Sequence, residues 1–268
     1  GNGRQVTAHS TLREPYQQGL KRFIDEARTL AALEPPHPNI LRVYRVVEAN
    51  GTAYLVMPYY EGTTLAAAMG KGPPEPVRAQ RMLAQLLDGL RAVHERGLLH
   101  RDIKPENIYL VDGEQPVLLD FGAARRVVVE GSHSSINKAY TPGYAAIEQY
   151  GDSGGEIKEG PWTDIYGLGA TIYHWISGNK PWDAPDRLED RLKPLSESVP
   201  RGYPRRWLES VDRALALKPR DRHQRVEDWQ KALAGTGRPV DPHPVAQTRW
   251  RLPVAVALGV ALAGGGYW

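Results

Sequence analysis

The sequence predicts an α+β protein with two lobes, a small β-rich N-terminal lobe and a larger, mainly helical C-terminal lobe. Its 268 residues suffice for one large domain or two lobes, and 41% hydrophobic content supports a sizeable core. Short β-rich runs end at "YLVM", and helical periodicity takes over after it. We therefore place the lobe boundary near Pro58, with residues 1–57 in the first lobe and residues 58–235 in the second.

The predicted N-terminal lobe contains one amphipathic helix and one β-hairpin. Apolar residues recur at helical spacing over residues 19–33, and the proline-rich stretch "EPPHPN" ends the pattern. Two β-rich runs then flank Asn50 and Gly51, a pair that is typical of tight hairpin turns.

The predicted C-terminal lobe begins with a helix over residues 77–96, which Gly97 ends. The runs "IYLV" and "VLLD" frame a "DGEQ" turn and indicate a second hairpin. Further helices are expected over residues 163–177, closed by Gly178, and over residues 205–217 and 224–233. Proline-rich residues 236–251 are typical of a linker.

Residues 252–268 carry no charge and directly follow Arg249 and Arg251. As a helix they would span about 26 Å at ~1.5 Å per residue, slightly short of a hydrocarbon core of ~30 Å. Preceding basic residues and the terminal Tyr267 and Trp268 fit the positive-inside bias and the interfacial aromatic belt. We expect a membrane-spanning segment that anchors a cytoplasmic domain; the alternative is an apolar tail packed on the globule.

Composition excludes several other classes of protein. The chain contains no cysteine, which rules out disulfides and thiolate metal sites. The net charge is +3, and lysine and arginine are spread along the chain without a block of like charges. Nothing in this pattern requires a nucleic-acid partner, and we expect none.

Two motifs flank the second hairpin, "HRDIKPEN" before it and "DFG" at its end. Phosphoryl transfer needs a carboxylate to orient the attacking hydroxyl, nearby positive charge, and Mg²⁺ to neutralise the phosphates. Asp102 can take the hydroxyl proton, Lys104 can contact the phosphoryl group, and Asn107 with Asp120 can supply oxygen ligands. The fixed positions of H-R-D-x-K-x-x-N would arise by chance with odds on the order of 10⁻⁴.

These motifs resemble the catalytic loop and the start of the activation segment of protein kinases, in particular the eukaryotic-like (Hanks-type) bacterial serine/threonine branch. Lys104 is the residue that points to serine and threonine substrates. The resemblance runs from about Phe23 to Leu233 and implies a two-lobed protein-kinase-like fold. It also implies ATP and Mg²⁺ (or Mn²⁺) as cofactors, and proteins with serine or threonine as substrates.

The resemblance implies further roles around the nucleotide. Glu26 matches the helix glutamate that pairs with the ATP-contacting strand lysine, although a solvated glutamate is an alternative interpretation. Met57 matches the gate position, Pro58 and Tyr60 the hinge whose backbone holds adenine, and Tyr109 the floor of that pocket. Pro58 stands where family members commonly have glutamate, but proline keeps the carbonyl that is expected to bind adenine. Tyr109 is equally consistent with a half-buried strand aromatic.

Other matching positions are structural. His100 and Phe121 match the apolar stack that links the lobes, together with Leu30 and Val43, so we expect His100 to be structural rather than catalytic. Asp164 resembles the buried aspartate that braces the catalytic loop.

The substrate-docking segment "TPGYAAIEQY" departs from the family pattern, because "AIE" stands in place of A-P-E. Glu148 of this segment is nevertheless expected to pair with Arg222. Hydroxyl residues lie between Asp120 and Glu148. A phosphate on one of them could pair with a nearby arginine and order the segment, although they are also typical of a plain loop. The candidates are Ser132, Ser134, Ser135, Tyr140 and Thr141, with Arg101, Arg125 and Arg126 as partners.

Two parts of the family's phosphate clamp have no counterpart in this sequence, the Gly-rich loop and the strand lysine of V-A-I-K. Lys21 belongs to the helix of Glu26, and Lys71 follows the hinge in a Gly/Pro turn. One interpretation is an N-terminally truncated kinase, as the missing initial methionine suggests. The other is a natively short pseudokinase that acts as a binding module.

We favour the truncated kinase, because a pseudokinase has no need to keep the acidic, lysine and amide positions of both motifs together. We expect little or no turnover from the 268-residue chain itself, since half of the phosphate clamp is absent.

Overall fold

The structure is a computed structural model that describes residues 13–121, 140–150, 158–188, 192–198 and 202–234. Several sequence predictions fall outside these residues: the linker at 236–251, the segment at 252–268, the last residue of "DFG", and the candidates Arg125, Arg126, Ser132, Ser134 and Ser135.

The N-terminal part contains helix α1 (Arg13–Ala31) and an antiparallel hairpin of β1 (Arg45–Ala49) and β2 (Thr52–Val56). Asn50 and Gly51 form the turn with φ of 55° and 72°, as their sequence predicts. Helix α1 begins earlier than the predicted residue 19. Tyr16 explains the difference, because its buried ring lies against the hairpin and its hydroxyl donates to the Gly51 carbonyl at 2.8 Å.

The C-terminal part contains the other helices: α2 (Leu65–Met69), α3 (Pro76–His94), α4 (Pro161–Ser177), α5 (Leu195–Ser198), α6 (Arg205–Ala214) and α7 (Val226–Ala234). The predicted helices over 77–96, 163–177, 205–217 and 224–233 correspond to α3, α4, α6 and α7. Gly178 ends α4 in a left-handed conformation with φ of 72°. Helix α6 is shorter than predicted, since a 3₁₀ turn at Pro219–Asp221 follows it.

The second predicted hairpin is present as β4 (Ile108–Val111) and β5 (Gln115–Leu118). A strand that the sequence did not predict, β3 (Gly62–Thr64), pairs antiparallel with β4, so the order of this sheet is β3-β4-β5. A strand of this length carries no periodic signal, which is why the sequence pattern does not show it.

One hydrophobic core joins the two parts of the molecule. Leu30 of α1 and Leu55 of β2 belong to the same buried cluster as Leu86 of α3, Trp207 of α6 and Trp229 of α7. Helix α4 lies at its centre and is buried on nearly all sides. The core therefore holds α1 and the first hairpin against the helices of the C-terminal part.

No helix within the residues that the structure describes is both long and apolar enough to cross a membrane.

His223 is a buried titratable group in the C-terminal part. It is 1% exposed, stacks on Trp229 with 5.4 Å between ring centroids, and its Nε2 lies 3.1 Å from the Ser210 carbonyl oxygen. Burial lowers the pKa of His223, although the hydrogen bond to the Ser210 carbonyl opposes the shift. The folded protein therefore keeps this histidine neutral.

We predict that the free energy of unfolding falls as the pH drops below about 6.5, the ordinary pKa of histidine. The unfolded chain then binds a proton at His223 while the folded chain does not. The contribution of His223 to the free energy of unfolding is therefore complete at higher pH and lost in acid. Urea denaturation at two pH values, about 8 and about 5.5, measures the loss. His223→Phe should show a smaller loss than the unmodified protein, and equal losses would contradict the prediction.

Candidate active site

The predicted base and phosphoryl contact lie together. Lys104 Nζ is 3.1 Å from Asp102 Oδ2, and both side chains are largely buried. The hydroxyl of Thr141 completes this arrangement: it accepts a hydrogen bond from Lys104 Nζ at 3.0 Å and donates one to Asp102 Oδ1 at 2.8 Å. The sequence suggested Thr141 only as a candidate for phosphorylation. The structure brings it into direct contact with both predicted catalytic side chains.

Asn107 orients Asp102 from the other side. A 3₁₀ turn at Pro105–Asn107 carries it, and its Nδ2 donates to the Asp102 backbone carbonyl at 2.9 Å and to Oδ2 at 2.7 Å. Because the amide nitrogen is used in these bonds, the amide oxygen is the hard donor that the side chain can offer a metal ion.

Asp120 and Phe121 follow β5 directly. Asp120 is exposed and has a left-handed backbone with φ of 48°, which turns the chain as the strand ends. The Phe121 ring lies 4.6 Å from that of His100 and packs against the core that contains Leu30 and Val43. His100 and Phe121, two members of the predicted apolar stack, are therefore in contact.

The imidazole of His100 is fully buried, and its Nε2 lies 2.8 Å from the Leu119 carbonyl oxygen. Burial lowers the pKa of His100, against the opposing influence of Asp164 and Asp102. A neutral ring in a hydrogen bond to the backbone supports the structural role predicted for this residue.

Asp164, in the first turn of α4, holds the catalytic loop. Its carboxylate accepts the backbone N–H of His100 at 2.8 Å and that of Arg101 at 2.6 Å. It also lies 2.7 Å from His94 Nε2, a contact that the sequence did not suggest. Burial alone would raise the pKa of Asp164, but the hydrogen bond from His94 and that from the Arg101 N–H outweigh it and lower the pKa.

Glu26 of α1 lies next to the catalytic loop. Its Oε1 lies 3.4 Å from Nη1 of Arg101. Arg101 also donates from Nε to Glu159 Oε2 at 3.0 Å. Arg101 is thus a cation within reach of α1, and the pairing of Glu26 with a strand lysine stays a prediction.

The residues predicted to hold adenine lie close to one another. Met57, Tyr60 and Tyr109 belong to a small apolar cluster, and Pro58 is buried beside Met57. The hydroxyl of Tyr109 donates to the Tyr60 carbonyl at 3.2 Å, so that carbonyl already has a partner within the protein. Burial raises the pKa of both tyrosines, which keeps their hydroxyls protonated. The sequence did not predict this link between floor and hinge.

The predicted pair of Glu148 and Arg222 is present and bidentate. Arg222 Nη1 and Nη2 donate to the two carboxylate oxygens at 2.8 and 3.1 Å, and both side chains are 0% exposed. Thr163 donates a further hydrogen bond to Glu148 at 2.8 Å, and the guanidinium lies 4.7 Å above the Tyr166 ring. The pair thus ties the substrate-docking segment to α4 and the turn before α7.

Comparison with known proteins agrees with this geometry. The family described as "Protein kinase domain" matches residues 4–216. PpkA-294 in its apo form has a solved structure that superposes with a TM-score of 0.74 and 40% identity, over 85% of this chain and 79% of that one. The kinase domain of PknI from Mycobacterium tuberculosis superposes with a TM-score of 0.58 at 24% identity, over 86% and 81%, which shows the fold alone. The chain belongs to the protein kinase family.

Curated relatives are similar over part of their length. The serine/threonine-protein kinase Pkn2 of Myxococcus xanthus is 38% identical over 177 residues, which are 63% of this chain and 20% of that protein. The serine/threonine-protein kinase PknL of Mycobacterium tuberculosis is 33% identical over 214 residues, 77% of this chain and 52% of that protein. The chain therefore spans about half or less of these relatives.

We predict that Arg222→Met lowers the free energy of unfolding by about 3–5 kcal/mol, because it leaves the Glu148 carboxylate buried without its cation. Arg205→Met is the matched control: Arg205 and Glu209 form an exposed pair at 2.9 Å, and such pairs contribute about 0–1 kcal/mol. Urea denaturation of both variants measures the difference. Equal, small losses would show that the buried pair does not stabilise the fold.

Proposed function

We propose that this chain forms most of the catalytic part of a serine/threonine protein kinase, which transfers the γ-phosphoryl group of ATP to serine and threonine hydroxyls of proteins. The observation that carries the proposal is the contact of Asp102 with Lys104, Thr141 and Asn107. The names of the curated relatives, which are serine/threonine-protein kinases, support the same reaction class.

The proposed roles follow from the contacts. Asp102 accepts the proton of the attacking hydroxyl, and its carboxylate is oriented from both sides by Thr141 and Asn107. Lys104 places positive charge beside the base, where it neutralises charge on the transferred group. Thr141 belongs to the substrate-docking segment, so the same hydroxyl couples the position of that segment to the position of the base.

The residues present fit a magnesium ion bound together with a nucleotide. We assign Asn107 and Asp120 as its protein ligands; Mn²⁺ has the same preference for oxygen donors. Within the described residues, no group of three or more acidic or histidine side chains forms a metal site. A small number of protein ligands is typical of a Mg²⁺ site, because the ion takes one or two carboxylates and completes its shell with water and phosphate oxygens. When bound, the ion neutralises the phosphates.

The proposed adenine site is the apolar cluster at the hinge. Met57 and the Tyr109 ring offer apolar surface to the base, and Pro58 offers its carbonyl. Tyr60 has its carbonyl engaged by Tyr109, which leaves its N–H as the group that we assign to the base.

We predict that Asp102→Asn in the full-length protein lowers kcat for phosphorylation of a serine or threonine peptide about 10³-fold, because the amide cannot accept the hydroxyl proton. Asp112→Asn is the control, since Asp112 lies in an exposed turn with φ of 51°, a conformation that asparagine tolerates. Radiolabelled ATP measures transfer to the peptide.

Unchanged activity in Asp102→Asn would remove this residue from the mechanism. The alternative function is that of a pseudokinase that binds partners without catalysis. A full-length unmodified protein that transfers no phosphate while it binds its partners would establish that candidate instead.

We also propose that residues 252–268 anchor the protein in the membrane with the kinase domain on the cytoplasmic side. The support is the uncharged sequence that follows Arg249 and Arg251. We predict that the full-length protein stays with the membrane fraction during alkaline carbonate extraction and that a variant without residues 252–268 is released. Retention of the shortened variant would contradict the assignment.

A further inference from the structure

The backbone N–H, the backbone carbonyl and the guanidinium of Arg101, the residue immediately before the proposed base, each have a partner from another element. Its N–H donates to Asp164 at 2.6 Å, and its carbonyl accepts from Gln149 Nε2 at 2.8 Å. Its guanidinium donates to Glu159 at 3.0 Å and lies 3.4 Å from Glu26. The residue thus joins α1, the substrate-docking segment and the start of α4.

The backbone of Arg101 requires such support. Its φ of 67° lies in the left-handed region, which is unfavourable for a residue with a long side chain. Such conformations persist only where the surroundings hold them. Because Asp102 is the next residue, the direction of its carboxylate depends on the conformation of Arg101.

Glu159 is the carboxylate best placed to hold the guanidinium. It is the closer of the two acidic partners, and its side chain is 13% exposed, so solvent screens the pair only in part. Glu159 also lies two residues before Pro161, the first residue of α4, the helix that carries Asp164. It therefore lies just before the buried helix that holds the backbone of Arg101.

We propose that Glu159 is a positioning residue for Asp102, and that its carboxylate supplies to Arg101 the negative charge that a phosphate on the activation segment could otherwise supply. Catalysis by this domain then does not require phosphorylation of that segment. The inference rests on the proposed kinase function.

The test uses full-length protein treated with a phosphatase and checked by mass spectrometry for the absence of phosphate before the assay. We expect the dephosphorylated protein without any substitution to keep its initial rate of peptide phosphorylation within about twofold of the rate before phosphatase treatment. Glu159→Gln should lose about 10- to 100-fold in kcat, because the base is displaced, with little change in KM for ATP. Glu159→Asp, which keeps the charge, should recover part of the loss.

Glu209→Gln is the matched control, because it removes a carboxylate from the exposed pair with Arg205 and should behave like the unmodified protein. Thermal unfolding of each variant shows whether the fold is intact. If the protein without any substitution loses its activity when it is dephosphorylated, that result alone overturns the proposal. A Glu159→Gln variant with unchanged kcat would overturn it as well.

The same experiment separates this inference from the proposed function. The proposed function itself fails if the protein without any substitution transfers no phosphate. It also fails if Asp102→Asn leaves that transfer in place. If that transfer is present but depends on phosphorylation of the segment, only the role of Glu159 fails.

Discussion

The buried carboxylate of Asp164 is the group on which the arrangement of the catalytic loop depends. It accepts the backbone N–H groups of His100 and Arg101 and contacts His94 at the end of α3. Buried N–H groups need acceptors, and Asp164 supplies both from a single side chain. The left-handed backbone of Arg101 and the position of Asp102 follow from this anchor, since no local sequence preference favours them.

Helix α4 carries this anchor because it is itself held on nearly every side. Its Thr163 donates to Glu148, which binds Arg222 in a fully buried pair, and Arg222 in turn lies over Tyr166 of the same helix. The helix therefore positions the catalytic loop through Asp164 and the substrate-docking segment through Glu148. Catalytic geometry and stability share one element, so variants of these residues should be tested for both.

Local sequence patterns predicted the elements well where the signal lies within a few residues. Asn50 with Gly51 predicted the first turn, Gly178 predicted the end of α4, and apolar spacing predicted α1, α3, α4, α6 and α7. The pattern did not show β3, which exists only because β4 lies beside it, or the early start of α1, which depends on contact between Tyr16 and the hairpin. Both exceptions are stabilised by residues far away in the chain.

The sequence by itself determined which side chains make up the candidate site, because "HRDIKPEN" and "DFG" place two aspartates, a lysine and an asparagine at fixed spacing. Only the tertiary structure decided the partners of these groups. Thr141 reaches Asp102 from 39 residues away, and Arg101 meets Glu26 across 75 residues. Hydrogen bonds and ion pairs act over a few ångströms of space, and spacing along the chain does not specify which distant side chains packing brings within that range.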